Sequence, residues 1–531
     1  MGSIEVADVA HTFPGRTLFS GVSFRVPSGA HVALVGANGA GKTTLLRLVA
    51  GEELPATGMV RVDGRLGYMR QFVASQDPKA TVRDFLASLA PPLVRRAHQE
   101  LRHLEFIVAG PHGGSARDRY AHALGGWGDV GGYSYEVLWD TCTQSALGVS
   151  LDRVGSRRVV TLSGGEQKRL ALEAFLRSDD DMLLLDEPDN FLDIPGKRWL
   201  EDRLNASRKA ILFVSHDRAL LANTAHAIVT IEGGTAWTHH GGFATYAAAR
   251  ADRLQQIEDE RKRYDEEHKR IEAQIREFKR RAAMNEKFAK RARATEKKLE
   301  RFERDRAPRT LVREQDVRMD LGGGRTGKVA IRARGLAIPG VVEPFDTEIH
   351  FGERIGVVGP NGTGKTHFMK LLAGEDVRHQ GEWMLGSRVR AAHFSQLHER
   401  PDLADLELVE ALRKEALDFG QAMRILGRYG LAEVARLPFR MLSGGQQARF
   451  QILLIEVQGS TLLLLDEPTD NLDIDSAEAL EEALLDYEGT VVVVTHDRWL
   501  MRLLERFLVF REDGSVNEEL ESPYTADLVA K

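Results

Sequence analysis

Five short motifs occur twice, in the same order, along this 531-residue chain, and that duplication limits the fold more than any other feature. The first set is GANGAGKT (Gly36 to Thr43), Gln71, LSGGE (Leu162 to Glu166), MLLLDEP (Met182 to Pro188) and His216. The second is GPNGTGKT (Gly359 to Thr366), Gln396, LSGGQ (Leu442 to Gln446), LLLLDEP (Leu462 to Pro468) and His496. The runs HVALV before Gly36, RIGVV before Gly359 and VVVVT before His496 are short, rich in β-branched residues and bounded by turn residues, as buried strands of a parallel sheet are. Each half therefore reads as α/β.

The halves differ in one place. Gln71 and Ser163 lie 92 positions apart, Gln396 and Ser443 only 47, so the first half holds about 45 extra residues. Leu93, Ala97, Leu101 and Leu104 recur there at helical spacing, and a glycine-rich break from Gly110 to Gly114 precedes more helical pattern at Arg117 to Ala123. This predicts an inserted helical arm at about 93–140; a surface loop is the alternative. Between the halves, Arg250 to Arg306 lacks turn signals and carries an apolar stripe: Ile257, Tyr264, Ile271, Ile275 and Phe278, then Phe288, Ala292, Thr295, Leu299 and Phe302. The stripe passes through His268 and loses phase at Met284, Asn285 and Glu286, where a short reversal makes a helical hairpin. The expected division is 1–242, a hairpin linker at 243–309, a second domain at 310–515 and a tail at 516–531.

Charge singles out the hairpin. With 72 Lys and Arg against 78 Asp and Glu the chain is acidic overall, net −6, yet 276–298 holds ten basic residues against three acidic ones. Salt-paired helix faces balance their signs, so this excess favours an anionic partner over a merely solvated face. One cysteine, Cys142, excludes an intramolecular disulfide and CxxC metal sites. No apolar run approaches the about 18 residues of a membrane helix, and no leader pattern is evident, so a cytoplasmic location is expected.

In GxxxxGK[ST] the glycines let backbone N–H groups and a helix N-terminus point at phosphate oxygens. Here the loops are Gly36, Asn38, Gly39, Ala40 and Gly41, followed by Thr44, and Gly359, Asn361, Gly362, Thr363 and Gly364, followed by His367. Lys42 and Lys365 are expected on the β- and γ-phosphates, and the Thr43 and Thr366 hydroxyls on Mg²⁺. Gly322 to Lys328, GGGRTGK, mimics the spacing, but it ends in Val329 and follows the polar VRMDL, so it reads as linker. Asp186 and Asp466 end their strands and suit Mg²⁺; Glu187 and Glu467 suit proton abstraction from the attacking water. An isolated Asp-Glu would merely cap a helix, but this one recurs after a phosphate loop in both halves. His216 and His496, in SHD and THD after apolar strands, are expected at the γ-phosphate.

Phosphate loop, glutamine, LSGG, DE and His in this order resemble the nucleotide-binding domains of the ATP-binding cassette superfamily, LSGG being the discriminating piece. The resemblance implies a head-to-tail pairing of the halves that sandwiches two ATP molecules. Lys42, Thr43, Gln71, Asp186, Glu187 and His216 would face Ser443, Gly444 and Gly445. Lys365, Thr366, Gln396, Asp466, Glu467 and His496 would face Ser163, Gly164 and Gly165. Gln71 and Gln396 would join the Mg²⁺ shell, and Phe13, without an evident counterpart in the second half, would stack on adenine.

Two cassettes, no membrane helix and a long basic linker resemble the ABC-F family, whose members act on ribosomes. By that resemblance the hairpin would enter the exit-tRNA site through Arg280, Arg281, Lys287, Lys290, Arg291 and Arg293, touching ribosomal RNA and peptidyl-tRNA of a bacterial ribosome. Antibiotic resistance by protecting the peptidyl-transferase region is the leading job; a housekeeping role on stalled ribosomes is the alternative. The tandem ATPase of a membrane importer would have no use for the hairpin, and a DNA-repair ATPase would need a zinc site or a far longer coiled coil. No DNA and no stable membrane subunit are expected, and the chain should act as a monomer whose cassettes pair with each other. Where the family commonly shows DEPTNHLD, this chain has DEPDNFLD (Asp186 to Asp193) and DEPTDNLD (Asp466 to Asp473), so different contacts between the halves and unequal ATP sites are expected.

Overall fold

The computed structural model describes residues 2–13, 16–71, 77–109, 117–282, 286–305, 317–395 and 400–524. Each half is built on a six-stranded sheet. In the first half the order is Leu66–Met69, Met182–Asp186, Ala210–Val214, His31–Gly36, Ala227–Glu232 and Thr235–His239, parallel except for the last pair. In the second it is Ala391–Phe394, Leu462–Asp466, Thr490–Val494, Arg354–Val358, Arg506–Phe510 and Val516–Glu519, with the same final antiparallel pair. A three-stranded antiparallel sheet accompanies each, with Ser3–Phe13 central in one and Val329–Ile338 central in the other.

Side-chain alternation divides each core into two layers. From the strand His31–Gly36, Val32 and Leu34 join the layer shared with the antiparallel sheet, whereas Ala33 and Val35 join the layer shared with the helices. Both faces are covered, which is why these strands are apolar throughout. The phosphate loops thereby leave the ends of central buried strands and lead directly into the helices Lys42–Val49 and Lys365–Leu372.

The extra segment of the first half contains the helices Pro92–Val108, Arg117–Asp129 and Gly132–Leu147; the Gly110 to Gly114 break lies outside the described residues. Leu104 is buried and Ala97 and Leu101 pack on the core, but Leu93 is exposed; Val94 and His98 take the inward face instead. The four-residue step from Leu93 to Ala97 misjudged the helix phase by one position. His98 sits 3.1 Å from Asp84, which closes the capping box of Thr81 on the helix Val82–Leu89, and beside Trp127 and Trp139, so the arm is anchored by an aromatic cluster.

The linker is a helical hairpin, Phe243–Ala282 and Glu286–Asp305; Met284 and Asn285 of the expected reversal lie outside the described residues. Its first helix begins at Phe243, seven residues before the Arg250 that opens the turn-free stretch, because Phe243 stacks on Tyr246 at 5.8 Å and Tyr246 on Trp237 at 5.8 Å. The stripe closes the hairpin: Tyr264 stacks on Phe302 at 4.8 Å, Phe278 meets Phe288 at 6.3 Å, and Ile257, Ile271, Ile275 and Ala292 are buried. His268, in phase with the stripe, pairs with Glu303 at 2.9 Å.

Two sequence expectations meet the structure differently. Val516–Glu519, the start of the expected tail, is an edge strand of the second sheet, paired from Phe510↔Val516 to Phe507↔Glu519. The sequence there is polar because an edge strand needs few apolar side chains. The mimic loop Gly322 to Lys328 leads into the strand Val329–Ile338, not a helix, and so lacks the N-terminal dipole of a phosphate site. Among the described residues no helix is long and apolar enough to cross a membrane.

Candidate active site

The two phosphate loops have matching backbones. Gly36, Gly39 and Gly41 have φ of 151°, 81° and 102°; Gly359, Gly362 and Gly364 have 146°, 84° and 94°. A Cβ at Gly36 would lie 2.4 Å from the Ile231 carbonyl oxygen, and one at Gly359 2.1 Å from that of Phe510, so only glycine lets the chain turn off the sheet there. Lys42 and Lys365 are nearly buried and donate into their own loops, Lys42 Nζ to the Gly36 carbonyl at 2.7 Å and Lys365 Nζ to the Gly359 and Pro360 carbonyls, both at 2.7 Å. Burial lowers the Lys42 pKa to about 8 and that of Lys365 in the same direction. A polyanion exchanged for these carbonyls would give each ammonium a full charge partner.

Asp186 and Asp466 end their strands, and the residues after them, Glu187 and Glu467, have φ of 49° and 50°. Left-handed backbone at a non-glycine position is strained, and it recurs at both glutamates. The carboxylate oxygens of Asp186 and of Asp466 are buried and make no hydrogen bond of regular geometry, with the Thr43 and Thr366 hydroxyls beside them, the environment a hard cation would complete. Burial raises both, Asp466 to about 6. Thr43 and Thr366 lie in the first turn of the adjacent helices. The donor set fits Mg²⁺.

The glutamates are held differently. Glu187 Oε2 accepts from Gln71 Nε2 at 2.5 Å and from Asn190 Nδ2 at 2.6 Å. Glu467 Oε2 accepts the His496 backbone N–H at 2.9 Å, and the Asn190 position is taken by Asp470. Burial raises both pKa values, helped by Asp186 beside Glu187 and by Asp470 and Asp466 beside Glu467. His496 is buried and His216 half-buried with both ring nitrogens enclosed, and both are neutral: burial of the ring, with Lys42 nearby, takes His216 down to about 3, and burial with Lys365 lowers His496. His496 Nε2 faces Asn361 Oδ1 at 3.2 Å. Gln396 lies outside the described residues.

The halves meet head to tail. Asn38 Nδ2 donates to the Asn471 carbonyl at 2.9 Å and Asn361 Nδ2 to the Phe191 carbonyl at 3.1 Å. A Cβ on Gly445 would lie 2.1 Å from Asn38 Nδ2, and one on Gly165 2.8 Å from the Phe191 carbonyl, so each LSGG is pressed against the opposite half's loop or its own DExxxxLD turn. Because carbonyls carry these contacts, the different side chains Phe191 and Asn471 leave them alike; the expected difference between the halves lies elsewhere. Ser163, Gly164 and Gly165 share one cavity of about 410 Å³ with Asn361, Gly362, Gly364, Lys365, Thr366, His367, Asp466, Glu467 and His496. A second cavity, about 300 Å³, joins Gly36 to Ala40 with Asp473 to Asp475 of the other half. Ser163 and Ser443 each cap their signature helix in a capping box, with Glu166 and Gln446. Gly444 lies on Asn471. Phe13 stands half exposed at the end of its strand, edge-on to His11 at 5.0 Å, while Val341 lines the second-half cavity.

Sequence reading missed the ion pairs that lock this arrangement. Arg218 pairs with Glu481 and lies 3.3 Å from Asp497; Arg498 pairs with Glu201 and lies 3.8 Å from Asp217. The signal was present: Arg218 and Arg498, Glu201 and Glu481, and Asp193 and Asp473 are each 280 positions apart, like Asp186 and Asp466.

On the hairpin, Arg280, Arg281, Lys287, Lys290, Arg291 and Arg293 are all exposed. Arg280 and Arg281 both reach Glu277, at 2.7 and 2.6 Å, so one carboxylate serves two guanidiniums, and Arg281 and Arg291 flank the Phe288 ring at 5.8 and 5.7 Å.

Two phosphate loops, with Asn38 against Gly445 and Asn361 beside Gly165 of the opposite signature motifs, define a twin-cassette ATPase. Its sequence matches the ABC transporter family over residues 19–190 and 342–470, and a further profile of that description over 229–319. An antibiotic resistance protein of Mycobacteroides abscessus is 47% identical, spanning 98% of this chain and 99% of its own. The tylosin resistance ATP-binding protein of Streptomyces fradiae is 33% identical over 94% of this chain and 95% of its own. An archaeal ribosome recycling factor, solved in complex with a ribosomal stalk protein, shares the fold at a TM-score of 0.56 and 21% identity, covering 94% of this chain and 87% of that one. The chain belongs to the ABC-F family. It is an ATP hydrolase whose cassettes bind ATP.

Proposed function

We propose that the protein is a ribosome-binding ATPase that uses closure of its two cassettes to set a basic hairpin at the exit-tRNA site of a bacterial ribosome, protecting the peptidyl-transferase region from antibiotics. The observation that carries this is Arg250, at the root of the hairpin. It donates to Asp475 of the second half at 2.5 and 2.9 Å and to Glu232 of the first at 3.1 Å, beside the cavity of the first phosphate loop. Opening the halves breaks one side of that clamp and frees the hairpin to tilt.

In each site the loop N–H groups and Lys42 or Lys365 hold the phosphates. Thr43 with Asp186 and Gln71, and Thr366 with Asp466 and, by its place in the motif order, Gln396, would hold Mg²⁺, which would supply charge neutralisation at the phosphates. Glu187 and Glu467 take the proton from the attacking water, and neutral His216 and His496 donate a hydrogen bond toward the γ-phosphate. Signature backbone donors after Ser163 and Ser443 close the far side, so bound nucleotide joins the halves and hydrolysis releases them. The cations from Arg280 to Arg293 contact phosphates of ribosomal RNA and peptidyl-tRNA; a monomer working in the cytoplasm suffices.

The two resistance proteins that it resembles over almost the whole chain favour drug protection over a housekeeping role on stalled ribosomes. The test is sedimentation of the Glu187→Gln, Glu467→Gln protein with ribosomes, with and without bound drug, and separately with membranes. ATP-dependent co-sedimentation with ribosomes is expected, with displacement of drug. Ribosome binding without drug displacement would shift the reading to housekeeping, and membrane binding alone would shift it to an importer ATPase. Reversing Arg280, Arg281, Lys290 and Arg291 to Glu should weaken ribosome binding and flatten its salt dependence.

A further inference from the structure

Arg218 and Arg498, Glu201 and Glu481, and Asp217 and Asp497 are charged counterparts 280 positions apart at the interface, and Lys197 has no such counterpart. It lies in the first turn of the helix Ile194–Ala206 and is 8% exposed; the equivalent residue of the second half is Ala477. Its ammonium forms an ion pair with Asp217 at 2.9 Å, in the His216 loop of its own half, and donates to the His496 carbonyl of the other half at 3.4 Å. Burial opposes that charge, but Asp217 and Asp189 from the first half and Asp470 from the second outweigh it and hold the Lys197 pKa above its ordinary value. Asp189, Asp217, Asp470 and Asp497 all line the cavity that Lys197 lines. This cation thus sits among carboxylates contributed by both halves.

Only part of this set survives separation of the halves. Asp217 and Asp189 stay with Lys197, whereas the His496 carbonyl and Asp470 leave with the second cassette. A contact made in one state and lost in the other shifts the balance between them, and by reciprocity links the two sites that favour closure. His216 belongs with Lys42, and His496 with Lys365.

We propose that Lys197 is a positioning residue that couples the two ATP sites, its single ammonium tying the His216–Asp217 loop to the His496 loop only when the cassettes are closed. The coupling rests on the composite-site reading given above. It is one-sided: the cation comes from the half whose signature motif serves the Lys365 site, so the closed form of that site depends on a charge in whose place the partner site has Ala477.

The experiment follows closure, not turnover. Dyes on one introduced surface cysteine in each half, in a Cys142→Ser, Glu187→Gln, Glu467→Gln background, report energy transfer as ATP is titrated. Lys197→Ala, Lys197→Met and the exchange Lys197→Ala with Ala477→Lys are compared, with thermal unfolding confirming that each folds. The first two variants should need roughly tenfold more ATP for half-closure and lose the sigmoidal slope, and the exchange should restore cooperativity in part by supplying the cation from the other side. ATP-driven closure in the parent with unchanged midpoint and slope in folded Lys197→Ala and Lys197→Met would overturn the coupling alone. No closure in the parent would overturn the composite-site reading and the coupling with it.

Discussion

Asp473 divides its carboxylate between the two halves: Oδ1 accepts the N–H of Ser476 at 3.0 Å and caps the helix Ile474–Asp486, while Oδ2 accepts the N–H of Asn38, in the opposite phosphate loop, at 3.0 Å. Asp193 does the same with Gly196 at 2.9 Å and Asn361 at 3.2 Å. A cap is worth about 1 kcal/mol, and a serine supplies it with one oxygen. Asp473→Ser should therefore keep the unfolding midpoint close to the parent's but lose ATPase activity several-fold, whereas Asp473→Ala should lower both. Equal ATPase rates in Asp473→Ser and the parent would show that the cross-half bond is idle.

The reciprocal pairs Arg218 with Glu481 and Arg498 with Glu201 differ in burial: side-chain exposures are 3% and 16% for the first, 1% and 8% for the second. Removing one partner of a buried pair leaves an unpaired charge and costs about 3–5 kcal/mol. Arg498→Met should destabilise the closed chain more than Arg218→Met in urea unfolding. Adding Glu201→Gln to Arg498→Met should recover part of the loss; strict additivity in that cycle would count against the pair.

Local signals carried the sheets, the phosphate loops and the hairpin stripe, because each is written in consecutive or periodic residues. Across the interface the sequence carries only the repeated positions, Arg218 with Arg498 and Glu201 with Glu481, and not which of them pair, since Arg498 and Glu201 are distant in sequence and only the duplicated fold brings them together. Asp193 illustrates the limit. Its cap is readable from position, while its second bond to Asn361 depends on the head-to-tail pairing that the LSGG motif implied only by resemblance. The edge strand Val516–Glu519 was missed because its pairing, not its side chains, defines it.

His31 is buried with neither ring nitrogen in a hydrogen bond of regular geometry, stacked on His226 at 4.9 Å, and burial followed by the His226 charge takes its pKa down to about 4 against weaker backbone contacts at Ser207 and Thr224. Its ordinary value is 6.5, so between these two pH values the unfolded chain binds the extra proton. The stability it contributes is present above pH 6.5 and is lost as pH falls toward 4. Urea unfolding at about pH 7 and about pH 5 should show His31→Phe losing about 2 kcal/mol less than the parent over that interval. An unchanged slope would mean that His31 is not the titrating group.

The two general bases are set up unequally. Glu187 has one oxygen fixed by the Gln71 and Asn190 amides, leaving Oε1 to meet water, whereas Glu467 gives Oε2 to the His496 N–H, stands 3.4 Å from His496 Nε2 and has Asp470 where the first half has Asn190. An amide donor orients a carboxylate, while a second carboxylate in that place repels it. The first site should therefore turn over faster. General-base removal costs about 10²–10⁴-fold at the affected site, so total activity follows whichever site is faster. Glu187→Gln should lower steady-state ATPase by about tenfold or more, Glu467→Gln by less than about twofold, and Asp470→Asn should narrow the difference. Equal losses in the two single variants would show that the Asp470 replacement does not separate the sites, and an unchanged ratio after Asp470→Asn would place the cause at another residue.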